Sequence, residues 1–273
     1  MRLCLIGNSH LAALLNSWED TAPSYPDVQA TFFGTRAQFF FALSAAGDGR
    51  LTMAPRTMLV STGGQGEVRV SDIPLGDFDL AVVIGCGFSP SAVLRTYQDY
   101  HFHGLRARRP TGVTREQFKY GVRDKIDQSP AWHVISLIRS QSRLPVLLAP
   151  SPLPSEEGVG KGGKAILDTY AEALANEDAR ELLRVYADIC RDLAEQGVRV
   201  VNQPEATKAA PLSTMQIYSI GSSRLRSKDR LHADDDVFHM NAAYGQLMWA
   251  EIVRAAGEVL AAAAPGQAQA AAV

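Results

Sequence analysis

The two ends of the chain carry the residue types that could do nucleophilic chemistry. Near the start, Leu3 to His10 read Leu-Cys-Leu-Ile-Gly-Asn-Ser-His, an apolar run that stops at Gly7-Asn8-Ser9. Four apolar residues bounded by glycine suit a buried strand, and Leu11, Ala12, Leu14 and Leu15 then follow helical spacing. Ser9 is thereby placed where a strand turns into a helix, at the carboxyl edge where open α/β sheets bind ligands. A hydroxyl there faces outward, with a helix N-terminus behind it that favours developing negative charge. Ser9 reads either as a nucleophile or as a helix N-cap, a role in which Asn and Ser are common. Near the other end, Asp234 to Tyr244 read Asp-Asp-Asp-Val-Phe-His-Met-Asn-Ala-Ala-Tyr ahead of an apolar helix. Asp236 and His239 can meet on one tight turn. A carboxylate beside an imidazole fixes its tautomer and supports the imidazolium of proton transfer. The alternative leaves the aspartates capping the last helix and His239 exposed. His232 precedes the acid, and the Asp-x-x-His order favours His239 over it.

Gly-Asn-Ser after the first strand and Asp-x-x-His before the last helix resemble the SGNH, or GDSL-like, hydrolase superfamily. The resemblance implies that Ser9 is the nucleophile, His239 the general base and Asp236 the orienting acid. It runs in order and spacing over nearly the whole chain, although only these two short blocks are specific. Two intermediate blocks of that family add oxyanion donors. Gly34 in Thr31-Phe32-Phe33-Gly34 matches the glycine after the second strand. Gly85-Cys86-Gly87 stands where the family has Gly-x-Asn, so Gly87 occupies the asparagine position and joins Ser9 and Gly34 in the expected oxyanion hole. Loss of one donor from such a hole lowers turnover by roughly 100- to 1,000-fold. Ser89, His101 and His103 are candidate replacements. The resemblance implies a serine esterase acting on a small-molecule or carbohydrate ester, O-deacetylation included, with neither cofactor nor metal. An O-acyltransferase of the same fold and a non-catalytic ligand-binding member are the competing readings.

These residues need a scaffold, and the pattern supplies one. Strand-like runs recur at Leu3–Ile6, Val28–Phe33, Leu80–Ile84, Val146–Ala149 and Val198–Val201, with helical patterns between most of them. Thr114-x-x-Gln117 is a capping-box start, and Ser129-Pro130 an N-cap followed by proline. Leu182, Leu183, Tyr186, Ile189 and Leu193 repeat at helical spacing up to Gly197, a C-cap. Alternating strand and helix implies a flavodoxin-like, three-layer α/β/α sandwich on a parallel sheet of about five strands. The continuous apolar runs need cover on both faces, which puts the first strand inside the sheet. Residues 1–261 read as a single domain. A β-rich insertion falls at about 50–71, where two runs flank Thr62-Gly63-Gly64-Gln65-Gly66 as a hairpin, and an Ala-rich tail expected to be disordered covers 262–273.

Composition narrows the class further. The chain has 273 residues, long enough for one sizeable core. A net charge of −2 gives no global field toward nucleic acid or an anionic membrane. No apolar stretch is long enough to span a bilayer, and no signal-like segment precedes the first strand. Cys4, Cys86 and Cys190 are scattered and read as reduced thiols, so a cytoplasmic location is expected.

Several motifs compete. Gly158 to Lys164 nearly spells a phosphate-binding loop, but Ala165 replaces the magnesium-holding hydroxyl and the preceding strand ends well upstream, so a glycine-rich loop is the expected reading. His101-Phe102-His103 lacks further ligands for zinc. His101, His103 and Arg106, the last in a cluster with Arg108 and Arg109, are assigned to substrate binding as an anion clamp, with a solvated loop as the alternative. His10 is assigned to the pocket rim beside Ser9, and Cys86 reads as a small core residue rather than a thiol nucleophile.

Overall fold

The apolar strands alternate their cover. In the computed structural model, which describes residues 1–53, 58–61, 67–161, 164–225 and 227–263, Leu3 and Leu5 of β1 (Arg2–Gly7) face one helical layer while Cys4 and Ile6 face the other. The same alternation runs through β2 (Gln29–Gly34), β5 (Leu80–Ile84) and β6 (Val146–Ala149), with β7 (Val198–Val200) at one edge. These five strands are mutually parallel in the order β7-β6-β5-β1-β2, so β1 is internal. The three-layer α/β expectation holds.

One layer consists of α1 (Leu11–Thr21) and α7 (Ala242–Ala263). The other is built from α2 (Ser91–Tyr97), α3 (Arg115–Asp127), α4 (Pro130–Gln141), α5 (Ala165–Ala175) and α6 (Ala179–Glu195). The capping box at Thr114 and Gln117 forms, and the Ser129 hydroxyl accepts from the Trp132 amide at 3.2 Å. Gly197 adopts φ +78 just past α6, where its amide closes on the Ala194 carbonyl.

The two β-rich runs pair as antiparallel strands β3 (Met58–Ser61) and β4 (Glu67–Val70). Their turn, Thr62 to Gly66, lies outside the described residues, as do residues 264–273 of the expected tail. The pair does more than decorate a loop: β3 joins β2 antiparallel and extends the sheet to seven strands. The sequence pattern did not reveal this, because alternation marks a strand without naming its neighbour. Among the described residues, no helix is long and apolar enough to cross a membrane.

The layer that matters most for the chain ends is α1 against α7. Trp249 on α7 donates from Nε1 to the buried Leu14 carbonyl of α1 at 3.0 Å, and its ring lies 4.3 Å from that of Trp18. Gly245 makes this approach possible, since a Cβ there would stand 2.0 Å from the Ala13 carbonyl oxygen. Gly245→Ala should therefore push the helices apart and destabilise the fold by about 1–3 kcal/mol. Gly257→Ala on the same helix faces open space and should be neutral or stabilising. Thermal unfolding of the two variants checks this contrast.

Candidate active site

The turn from β1 into α1 is held from three directions. Asn8 Oδ1 accepts from the His10 amide at 3.3 Å, and the Asn8 carbonyl accepts from Leu11 at 3.0 Å. The Asn8 amide in turn donates to the Cys86 thiol. Asn8 thus shapes the turn ahead of α1, and the helix takes no side-chain cap from the Ser9 hydroxyl. That hydroxyl points elsewhere: Ser9 Oγ lies 2.8 Å from His239 Nε2.

The loop before α7 is shaped by Asp236. Its Oδ1 accepts from the Phe238 and His239 amides at 2.9 and 3.1 Å, folding the Asp-x-x-His segment into an Asx turn. Its Oδ2 lies 2.8 Å from His239 Nδ1. With Nδ1–H donating to the carboxylate, Nε2 is left to accept the Ser9 proton. Burial opposes ionisation of Asp236. The hydrogen bond from His239 and the two amides outweigh it and hold the carboxyl well below the usual carboxylate range. The helix itself is capped by another residue, since Asn241 Oδ1 accepts from Tyr244 at 3.2 Å. Ser9, Asp236 and His239 are thus brought together in one hydrogen-bonded line.

Two more imidazoles flank it. His10 stacks on His239 with ring centroids 5.0 Å apart and planes 23° from parallel. His232, passed over in the sequence because it precedes the acid, stacks on the opposite side at 3.9 Å and 6°. Its Nδ1 reaches Asp236 Oδ2 at 3.1 Å. Sequence offered no signal for this contact beyond the spacing of His232 and Asp236. Its cause is the hairpin of Ser223–Arg224 and Ser227–Leu231, which delivers His232 to the loop through an amide bond to the Ser222 carbonyl.

The expected oxyanion donors fare unequally. The Ser9 amide has no acceptor among the described residues. Gly34 requires a correction. Thr35 donates to the Gly7 carbonyl at 3.2 Å, so alternate amides of β2 face β1, and the Gly34 amide between them faces β3, in register with Leu59. Sheet extension by β3 is the physical reason it is not aimed at the site, and the Leu225 side chain covers its other face. Gly87 is exposed with φ +83, follows Gly85 and Cys86 at φ +67 and +50, and has no amide acceptor among the described residues. Gly85 cannot carry a side chain, as a Cβ there would lie 2.6 Å from Asn8 Oδ1. Burial pushes the Cys86 thiol up to about 12 against the Asn8 hydrogen bond, which rules it out as a ready thiolate.

His101, His103 and Arg106 also need correcting as substrate ligands. None shares a hydrogen bond, ring contact or cavity with Ser9, Asp236 or His239 among the described residues. His101 Nδ1 accepts from the Arg109 amide at 3.2 Å, and Arg106 pairs with Glu177 at 2.5 Å. The loop is organised instead by buried Asp178, which accepts from the Arg106 and Ala107 amides and from Tyr97 Oη. His101 and His103 line a separate open cavity of about 420 Å³ with Phe102, Arg108 and Gln117. Ser89 pairs with the Ser91 hydroxyl. In the glycine-rich loop Gly158 packs on Val237, and α5 begins only at Ala165, well after β6 ends at Ala149, so among the described residues the strand does not turn directly into the helix. Gly162 and Gly163 lie outside the described residues.

Ligand atoms of His232, Asp236 and His239 all lie within 4.8 Å of one another. Face-stacked imidazoles direct their lone pairs along parallel lines, so the two rings do not converge on one tetrahedral ion.

By sequence, the chain matches no protein family and no curated protein. Its fold is similar to solved structures of low identity. A GDSL-like lipase from Bacteroides thetaiotaomicron aligns at TM-score 0.45 and 12% identity, over 94% of this chain and 88% of that one. A carbohydrate acetylesterase family member from Sinorhizobium meliloti aligns at 0.41 and 11%, over 96% and 100%. An acetyl xylan esterase aligns at 0.39 and 12%, over 93% and 99%.

The buried Nδ1 of His10 has no partner. Burial first, and then the neighbouring His239, push its pKa from 6.5 down to about 3, against the attraction of Asp236. Above 6.5 the ring is neutral folded or unfolded. As pH falls below that value, only the unfolded chain takes the proton, so stability drops by up to about 1.4 kcal/mol per pH unit until the folded ring also titrates. Urea unfolding between pH 6 and 4 should show His10→Phe, which keeps a ring but no titration, losing less stability on acidification than wild type. Equal slopes would mean that His10 does not carry the effect.

Proposed function

We propose that the protein is a serine-dependent acyl-ester hydrolase of SGNH type. The observation that supports this reading is the line from Ser9 Oγ through His239 to Asp236, with 2.8 Å at both links. His239 Nε2 takes the Ser9 proton as Oγ attacks an ester carbonyl, and the imidazolium that forms is balanced by Asp236. The Ser9 amide supports the oxyanion. The alkoxide leaves with the proton returned from His239, giving an acyl-enzyme, and water activated by the same base releases the acid. Small-molecule or carbohydrate esters are the substrate class that this reading favours.

A fluorophosphonate probe should label wild-type protein covalently, and Ser9→Ala should abolish labelling, as read by intact-protein mass spectrometry. Labelling that survives the substitution would overturn the assignment of the nucleophile.

Two observations favour a slow or narrowly specific enzyme as the second reading: the Gly34 amide is turned into the sheet, and position 87 has no side chain. Asn tolerates the left-handed backbone at Gly87 better than most residues. Its Cβ would meet Pro130 Cδ at 3.3 Å, so a slight shift accommodates it. If the missing amide limits turnover, Gly87→Asn should raise hydrolysis of short p-nitrophenyl esters by up to about 100-fold. A fall would mean that another group already fills the hole.

A further inference from the structure

The proposed chemistry gives His232 no task, and its placement is specific. It arrives on a different structural element from His239, the hairpin that ends at Leu231, and is pinned there by its amide bond to Ser222 at 2.8 Å. Its ring lies face to face with His239, and its Nδ1 stands 3.1 Å from the same Asp236 oxygen to which His239 Nδ1 is hydrogen-bonded. That oxygen lies in the plane of His239, whose Nδ1 is therefore the protonated nitrogen of the neutral ring, and parallel rings 3.9 Å apart cannot both hold it in plane. The His232 Nε2 is buried without a partner, so the ring has no polar engagement besides Asp236.

Consider what His239 must do. Its bonds to Ser9 and Asp236 both lie in the ring plane, and a free imidazole rotates broadly about its terminal torsion. A rotation of a few tens of degrees would break both bonds together. Stacking prevents this. His232 covers one face at 3.9 Å and His10 the other at 5.0 Å, leaving His239 in a sandwich whose planes match its working orientation. A neutral aromatic face also suits the cation that His239 becomes after taking a proton. The groups facing His232 are Asp236 and His239 from the loop and Arg224 from the hairpin. Burial, and then His239, lower its proton affinity, which keeps it neutral beside the imidazolium.

We propose that His232 is a positioning residue that holds the His239 ring plane by stacking, so that Asp236 keeps its Nδ1–H tautomer. The proposal rests on the assignment of His239 as the base. Two variants separate the components: His232→Phe keeps the stacking face without the donor, and His232→Asn keeps a donor within reach of Asp236 without the face. If stacking dominates, the fluorophosphonate labelling rate should fall about tenfold in His232→Asn and clearly less in His232→Phe. Nitrogen-15 NMR of the histidine rings supplies a readout independent of activity. Wild-type His239 should show Nδ1–H, and in His232→Asn its signals should shift toward a tautomer mixture. An Nε2–H tautomer at His239 in wild type would overturn the proposal, and so would an unchanged His239 spectrum and labelling rate in His232→Asn. The wild-type spectrum decides the tautomer question even if His232→Asn fails to fold. Absence of labelling in wild type would sink the hydrolase reading while leaving the NMR test of His232 intact.

Discussion

The packing of the first helix on the last is the contact on which everything else in this protein depends. Ser9 sits at the head of α1 and His239 just ahead of α7, so the separation of the two side chains is set by how closely those helices approach. Gly245 permits close approach of its backbone to the Ala13 carbonyl and the Ser17 hydroxyl, and the Trp249 bond to Leu14 fixes the sliding register. Small residues at a helix crossing usually serve packing alone. Here the same crossing sets a hydrogen bond between side chains whose backbones share no strand pairing.

Electrostatics at the centre follow a simple division. One carboxylate holds the negative charge and is surrounded by donors: two backbone amides and the Nδ1–H of His239. The rings around His239 are kept neutral by burial and by one another. An imidazole flanked by neutral rings and backed by a fixed anion can accept a proton with little rearrangement of its surroundings.

Much of this was legible in the residues. The five apolar runs became five parallel strands because a run buried on both faces has little other use in a chain of alternating elements. Asp236 and His239 met as their spacing implied. Ser9 read either as a nucleophile or as a helix cap; its hydroxyl makes no capping bond and meets His239 instead. What could not be read depended on partners distant in sequence. Gly34 has the residue type and position of an oxyanion donor, but the direction of its amide is decided by a strand that pairs alongside. His101, His103 and Arg106 form a basic cluster on paper, whereas the fold ties them to Asp178, Arg109 and Glu177 in a loop of their own. His232 was discounted on order along the chain, although stacking respects only order in space.

The bond between Ser9 and His239 joins residues 230 positions apart. Closing a loop of that length from an open chain costs about 5 kcal/mol of entropy, and no local turn offsets it. The sheet and α7 must supply that closure. The Ser9–His239 contact is therefore a late product of assembly: during synthesis Ser9 emerges first and stands without its imidazole partner until α7 docks. A chain still in the making, or one cut so that α7 is freed, carries the serine without that hydrogen bond.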